Sequence, residues 1–238
     1  MGRPEKPVNR TVPARAKLAD FLRERKARSG QTYEQMALEV NGIPSKATFE
    51  RAASGNCVPS WETVSAFIAT TSTSKEMTVA ALSAAINRGQ ELWIRARRDT
   101  RAPYYVPSAP DPDLISTRAD LLRDLRRQHV WAGYPTPGEM ERISEIGVLP
   151  SSTTRRVIKG EMLPVDRRQT IAFLKACYVA SPAALEPWLA AADRAHADAE
   201  TKRLKALQEM HGKTKEKPTA DIPLKGSGPK STDVGMAA

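Results

Sequence analysis

Apolar residues recur along most of this chain at intervals of three and four positions, the spacing that places them on one face of a helix. Leu18 and Leu22 belong to one such series. Val64, Phe67 and Ile68 belong to another. Runs of β-branched residues are rare and aromatic residues make up only 5% of the chain, so strands are not expected. The pattern predicts an all-α fold.

Capping residues place five helices in the first part of the chain. Thr32, followed by Gln35, has the pattern of a reciprocal capping box, and Ser29-Gly30 ends the preceding helix. The predicted helices span residues 14–28, 33–40, 45–54, from 60 onward, and about 75–98. The last of them is expected to pack through Val79, Leu82, Ile86 and Trp93.

The later part of the chain predicts a similar series of helices. Its second helix is expected to start at Pro137, because proline is favoured at the first helical position, and to bury Met140 and Ile143. Further helices are predicted over 151–159 and 166–178, with a last long helix from Ser181-Pro182.

One segment of sixteen residues occurs twice, 105 positions apart. Residues 45–60 read SKATFERAASGNCVPS, and residues 150–165 read PSSTTRRVIKGEMLPV. The matched pairs are Thr48 and Thr153, Arg51 and Arg156, Gly55 and Gly160, Pro59 and Pro164, with Gly42 and Gly147 upstream. Earlier still, residues 19–23 match 119–123 at an offset of 100, which predicts a connection five residues longer in the second copy. A tandem duplication is therefore predicted.

Composition divides the chain further. A proline-rich stretch between the copies is typical of an extended spacer, and the polar C-terminal end is typical of disorder. The predicted segments are a flexible basic arm at 1–12, domain 1 at 13–98, a Pro-rich linker at 99–115, domain 2 with a long C-terminal helix at 116–211, and a disordered tail at 212–238.

The formal net charge of +10 and the pI near 9.8 call for an anionic partner, and nucleic acid is the first candidate. The longest apolar run, residues 79–86, is far below the roughly 20 residues needed to span a bilayer, so no membrane contact is expected. Not every basic residue is assigned to a partner. Arg23, Arg25, Lys26 and Arg28 are interpreted as a solvated face, and Trp61, Trp93 and Trp188 as core.

The chain shows no pattern of an enzyme or a metal site. Cys57 and Cys177 are far apart and are interpreted as reduced thiols, and no Cys or His stands at ligand spacing from another. Two pairs of acidic residues, Asp111 with Asp113 and Glu139 with Glu141, have no nucleophile, metal ligand or phosphate loop beside them. We therefore expect no enzymatic activity, no metal and no cofactor, and a cytoplasmic, nucleoid-associated location.

Several short motifs of the first copy match a known pattern. They are Thr32-Tyr33, Ala37, Ser45, Thr48-Phe49, Arg51-Ala52-Ala53-Ser54-Gly55 and Pro59-Ser60-Trp61-Glu62. Residues 18–69 resemble the phage-repressor/Cro-like (XRE) helix-turn-helix family of DNA-binding proteins, especially its actinobacterial members, and residues 119–176 resemble it more loosely. Both copies have a turn about one residue longer than is usual in that family. The resemblance implies two tandem lambda-repressor-like bundles of about five helices each.

The resemblance also implies which side chains meet DNA. In that family the reading helix projects its first turn, and a residue one to two turns later, into the major groove. The residues implied are Lys46, Ala47 and Arg51, with Ser45 and Asn56 on phosphates, in copy one, and Ser151, Ser152 and Arg156, with Arg155 and Lys159 nearby, in copy two. Arg51 has an equal alternative as a structural residue that ties the third helix to the second.

The sequence thus predicts a sequence-specific, double-stranded DNA-binding transcription regulator of the repressor type. It would read the major groove through helix 45–54 and helix 151–159, and its unequal reading helices imply a non-palindromic operator. The alternative is a protein-interaction module, such as an antitoxin or replication-accessory protein. In that case domain 2 recruits a protein partner or a second copy of the chain.

Overall fold

The computed structural model of the chain describes residues 5–73, 78–102 and 108–215. These residues form α-helices and one 3₁₀ turn, with no strand among them, so the all-α prediction is confirmed. The helices are α1 (Pro13–Ser29), α2 (Tyr33–Glu39), α3 (Lys46–Ala52), α4 (Trp61–Thr70), α5 (Val79–Arg101), α6 (Arg118–Trp131), α7 (Pro137–Ile143), α8 (Ser151–Lys159), α9 (Arg167–Ala176) and α10 (Pro182–Lys215).

Local hydrogen bonds explain why several predicted helix starts are confirmed. Thr32 with Gln35, and Thr136 with Glu139, form reciprocal capping boxes at the starts of α2 and α7. The Ser60 hydroxyl accepts from the backbone N–H of Thr63 at the start of α4. These bonds join residues three positions apart, so the sequence reveals them directly.

Two clusters of buried apolar side chains hold the helices together. One cluster includes Leu18, Met36, Phe49 and Phe67 and is formed by helices α1–α5. We call these five helices the first half. The other cluster lies in the second half, which comprises α6–α9 and α10 as far as Asp198. Its members include Leu121, Leu125, Met140, Val157, Phe173 and Trp188. Both halves belong to one compact unit, residues 1–198.

A separate unit begins at Ala199. Its described part, residues 199–215, is helical and continues α10 to Lys215. Helix therefore extends into the first four residues of the predicted tail, and residues 216–238 of that tail lie outside the described residues.

Three burial predictions are wrong. Val79 and Ile143 are 83% and 53% exposed, although both were expected in the core. Arg25 is only 3% exposed, although it was expected on a solvated face. Its guanidinium is compensated inside the first half, since it donates to the Thr71 hydroxyl at 3.2 Å and to the Ile68 carbonyl at 3.3 Å.

The stretch predicted as a linker contains ordered contacts in its described parts. Residues 99–101 continue α5, and residues 103–107 lie outside the described residues. Pro112–Leu114 form a 3₁₀ turn, and Ile115 is 1% exposed. Arg194 of α10 donates to the carbonyls of Pro112 at 3.0 Å and Ile115 at 3.3 Å. The end of this stretch is thus bound to the second half.

The two halves correspond helix by helix, with a drifting offset. Buried Leu18 and Leu22 of α1 correspond to buried Leu121 and Leu125 of α6, at an offset of 103 instead of the 100 predicted. The capping residues Thr32 and Thr136 lie 104 apart, and the capping residues Ser60 and Asp166 lie 106 apart. Each connection therefore differs by about one residue, and the predicted five-residue insertion is wrong.

Candidate nucleic-acid interface

Helix α3 buries one face and exposes the other. Phe49 is 0% exposed and Ala52 is 2% exposed, and α2 and α4 both pack against the helix. Ser45, at the N-cap, accepts from the Thr48 backbone N–H at 3.3 Å. Three of the predicted site residues, Lys46, Ala47 and Arg51, lie on the exposed face together with Glu50.

Helix α8 has the same arrangement without the side-chain cap. Thr154 and Val157 are fully buried, and Pro150 at the N-cap makes no side-chain hydrogen bond to the helix. Gly160 ends the helix in the left-handed conformation, with a φ of 86°. Ser152, Arg155, Arg156 and Lys159 are exposed, and Ser151 is half-buried.

The exposed and buried positions of α3 and α8 match at the offset of 105 that the sequence repeat predicts. Phe49 and Thr154 are buried, and three residues later Ala52 and Val157 are buried as well. Between them, Glu50 corresponds to Arg155 and Arg51 to Arg156, and all four side chains are exposed. The two helices therefore present equivalent faces, of which the second carries the more positive charge.

The two cations of the α3 face already have partners within the chain. Lys46 Nζ lies 3.3 Å from Glu34 Oε2 on α2, and Arg51 Nη2 donates to the Thr48 hydroxyl at 3.3 Å. The Arg51 bond stays within α3, so the structural alternative that tied Arg51 to α2 has no support among the described contacts. Both side chains are exposed, and their contacts are of the kind that contributes little to stability.

The α8 face is less neutralised. Arg156 Nε and Lys159 Nζ lie 3.6 and 3.7 Å from the Glu161 carboxylate, which both must share. Arg155 has no hydrogen bond or ion pair with any residue that the structure describes. The exposed face of α8 therefore carries three cations, and the carboxylate paired with two of them, Glu161, lies just after the helix.

The N-terminal segment contacts the end of α3. The Asn9 backbone N–H donates to the Ser54 carbonyl at 2.9 Å, and the Asn9 side-chain amide donates to Asn56 Oδ1 at 2.9 Å. Asn56, a predicted phosphate contact, is thus exposed but held by this segment. Residues 1–4 of the predicted arm lie outside the described residues.

Glu5 connects the same segment to α1 and α2. Its carboxylate lies 3.2 Å from Arg23 Nε, and it accepts a hydrogen bond from the Tyr33 hydroxyl. Burial raises the pKa of Tyr33, and the hydrogen bond to Glu5 raises it further. A groove of about 690 Å³ lies beside this contact, and its lining includes Glu5, Ala47, Glu50 and Arg51.

An arginine on the first helix of each half supports the end of the exposed helix, and sequence reasoning missed both. Arg23 Nε donates to the Ala53 carbonyl at 2.7 Å, and Arg126 Nε donates to the Ile158 carbonyl at 2.9 Å. These carbonyls lie at helix ends, where they lack partners within the helix. The two arginines can be recognised as equivalent in the sequence only when α1 and α6 are aligned at an offset of 103.

The described residues include no group of three or more His, Cys, Asp and Glu side chains that could hold a metal ion. No helix in the described part of the chain is long and apolar enough to cross a membrane. Comparisons with family models, with curated proteins and with solved structures give no match. The function therefore has to be inferred from the geometry of the chain itself.

Proposed function

We propose that the chain is a sequence-specific, double-stranded DNA-binding regulator of transcription, with two tandem helix-turn-helix units of the Cro-like type. The observation that carries the proposal is the face of α8, where Ser152, Arg155, Arg156 and Lys159 are solvent-exposed and Arg155 has no partner among the described residues. Arginine forks bind guanine edges and phosphates bidentately, so these residues have the chemistry of a major-groove reader.

The pairing of helices supports the same function. In each half a short helix packs against the exposed one, α2 against α3 and α7 against α8, which is the arrangement that braces a reading helix. The two faces differ in charge because Glu50 in α3 corresponds to Arg155 in α8. Unequal readers in one chain favour an operator with two unlike half-sites.

The test first selects bound sequences from a random duplex library, and then titrates the selected duplex with salt. The variant Arg155→Gln/Arg156→Gln should lose affinity, and its salt slope should fall by about 0.9 for each phosphate that the variant no longer neutralises. A relaxed base preference in this variant would show that Arg155 or Arg156 reads a base edge. Failure of the library to enrich any sequence would refute the proposal.

A control variant with the same charge change separates the α8 face from general electrostatics. Arg88 and Arg95 lie on α5, are 62% and 57% exposed, and pair with Glu91 at 3.2 Å and Asp99 at 3.8 Å. Arg88→Gln/Arg95→Gln should leave the base preference unchanged and reduce affinity much less. Equal losses in the two double variants would mean that α8 has no special role.

A specific observation favours a second candidate, association with another copy of the chain through the second half. Ile146 is fully exposed, and Ile143 and Val165 are 53% and 70% exposed. Large aliphatic side chains exposed on a surface are candidates for a contact with another protein. Sedimentation equilibrium tests it, because Ile146→Asp should convert a dimer to a monomer if this surface mediates self-association, and a wild-type monomer rules the association out.

A further inference from the structure

A cavity of about 400 Å³ lies between the two halves and is rich in arginine. We call it the junction cavity. Its lining includes Arg15 of α1, Arg97 and Arg101 of α5, and Glu139 of α7, with the Ser60 and Thr100 hydroxyls nearby. Three guanidinium groups thus surround the cavity with one carboxylate among them.

The single carboxylate is already committed to one arginine. Arg97 Nη2 donates to Glu139 Oε2 at 2.8 Å, and the Arg97 side chain is only 6% exposed. Burial pushes the pKa of Glu139 upward, but the hydrogen bonds from Arg97 and from the Thr136 backbone outweigh it and keep the pKa below its ordinary value. Glu139 is therefore ionised, and the arginine that donates a hydrogen bond to it is Arg97.

Neither Arg15 nor Arg101 forms an ion pair with a carboxylate among the residues that the structure describes. Arg15 Nη1 donates to the Asn56 carbonyl at 2.9 Å, whereas its Nε is buried and has no hydrogen-bond partner in the described part of the chain. Arg101 donates to the Tyr134 carbonyl. Burial lowers the pKa of Arg101 and repulsion from Arg97 lowers it further, and attraction to Glu139 offsets these two effects only in part. The cavity carries uncompensated positive charge.

We propose that the junction cavity binds a phosphate group, held by Arg15 from one side and Arg101 from the other. Planar guanidinium groups match the oxygens of a phosphate and form short, charge-assisted hydrogen bonds with it. A bound dianion would satisfy the buried Arg15 Nε and offset the repulsion between Arg97 and Arg101. Because Arg101 also donates to the Tyr134 carbonyl of the second half, a phosphate bound to Arg101 would lie beside a contact between the two halves.

The probe is inorganic phosphate, compared with chloride at equal ionic strength, and the readout is thermal unfolding of the full chain without DNA. At phosphate about ten times its Kd, the Tm of the wild type should rise by about 3–5 °C. Arg15→Gln and Arg101→Gln should each lose most of this rise. Arg95→Gln, one exposed α5 arginine outside the cavity, should keep it.

The phosphate-dependent rise is measured within each variant, so a general loss of stability does not confuse the result. Isothermal titration with phosphate at a temperature where all variants are folded gives a second, independent reading. No rise beyond that in chloride, or full rises in both Arg15→Gln and Arg101→Gln, would overturn the proposal.

The phosphate could come from the DNA backbone or from a free phosphate compound, and salt titrations with duplex DNA distinguish the two sources. If DNA supplies it, Arg15→Gln and Arg101→Gln should each reduce the salt slope by the amount expected for about one phosphate. If a free compound supplies it, the DNA slopes should match that of Arg95→Gln. Because the thermal test needs no DNA, the cavity can be refuted independently of the DNA-binding proposal.

Discussion

At the scale of residues, two glycines share a conformation but differ in their surroundings. Gly42 lies between α2 and α3 with a φ of 78°, and a Cβ there would meet nothing within 4 Å. Gly55 follows α3 with a φ of 75°, and a Cβ there would lie 2.6 Å from the Asn9 carbonyl oxygen. Both glycines avoid the cost of a left-handed backbone, but only Gly55 also makes room for the N-terminal segment.

We therefore expect Gly42→Ala to lower the free energy of unfolding by about 1 kcal/mol, the cost of positive φ alone. Gly55→Ala should lower it by about 2–4 kcal/mol, because the Asn9 backbone must also move. Guanidinium denaturation followed by far-UV circular dichroism measures both. Equal losses would show that residues 5–12 do not stay beside α3 in solution.

His129 is a buried titratable group in α6. Its Nε2 lies 2.8 Å from the Pro135 carbonyl, and its ring makes an edge contact with Tyr134 at 5.8 Å between centroids. Burial lowers the pKa of His129 below its ordinary 6.5, and the charges of Arg101 and Arg97 lower it further, although the bond to Pro135 opposes them. The folded chain thus binds this proton less readily than the unfolded chain.

The free energy of unfolding therefore has its full contribution from neutral His129 above pH 6.5. This contribution is lost as the pH falls from 6.5 toward the lower pKa of His129 in the folded chain. His129→Gln should flatten this part of the stability profile, by at most about 1.4 kcal/mol per pH unit. The exposed His196 provides the matched control, and His196→Gln should keep the wild-type profile. Urea denaturation between about pH 5 and 7 gives the comparison. Identical profiles for the two variants would contradict it.

At the scale of elements, α3 and α8 begin in different ways. The Ser45 hydroxyl caps α3, whereas α8 begins after Pro150, which has no side-chain acceptor to offer. Ser151 is the first residue of α8 instead of its cap. Similar serines at the starts of the two candidate reading helices therefore have different structural roles.

Ser45→Ala should lower the free energy of unfolding by about 1 kcal/mol, because it leaves a backbone N–H of α3 without its acceptor. Ser151→Ala should change it by no more than about 0.5 kcal/mol, since alanine suits a helical position. Chemical denaturation of both variants makes the comparison. A larger loss in Ser151→Ala than in Ser45→Ala would mean that the capping assignment is wrong.

Sequence patterns predicted the helices better than the faces they bury. The bounds of α8 and the start of α7 at Pro137 are confirmed, because caps and helix breakers act within a few residues. The burial of Arg25 could not be predicted, since its acceptors are more than 40 positions away. The offset of 100 was misleading. Residues 19–23 and 119–123 share four of five residue types, but the buried positions of α1 and α6 correspond at an offset of 103.

The exposure of the candidate site residues could be predicted from the sequence, but the hydrogen bonds that support them could not. Nine of the ten predicted site residues are exposed, and Ser151 is half-buried. Their contact with DNA stays a prediction. The supporting bonds from Arg23 and Arg126, and the contact of Asn9 with Asn56, join residues that come together only in the folded chain. No local pattern encodes them.

At the scale of the molecule, α5 joins the two halves. Arg97 pairs with Glu139 at 2.8 Å and lies over the Trp93 ring at 4.6 Å. Trp93 in turn makes an edge contact with Tyr178 at 5.9 Å between ring centroids. Arg98 lies 4.3 Å from the centroid of the Trp131 ring. These contacts explain why residues 1–198 form one compact unit.

We expect the wild-type unit to unfold in a single thermal transition. Arg97→Ala should divide it into two, because it breaks a largely buried ion pair and costs about 2–3 kcal/mol at the contact between the halves, less than a fully buried pair because Glu139 is 32% exposed. Differential scanning calorimetry resolves the transitions. Arg95→Ala, on an exposed part of α5, should keep one transition, and a single transition in both variants would show that the halves are joined by other contacts.

The presence of α3 and α8 in one compact unit affects how target genes would respond to the amount of this protein in the cell. If both helices read DNA, a single chain fills the whole operator, and no equilibrium between free and paired subunits precedes binding. Occupancy then follows the law for one ligand and one site, with a Hill coefficient of about one. We therefore expect target genes to respond gradually to the intracellular dose of this protein, without the threshold that dimer formation imposes.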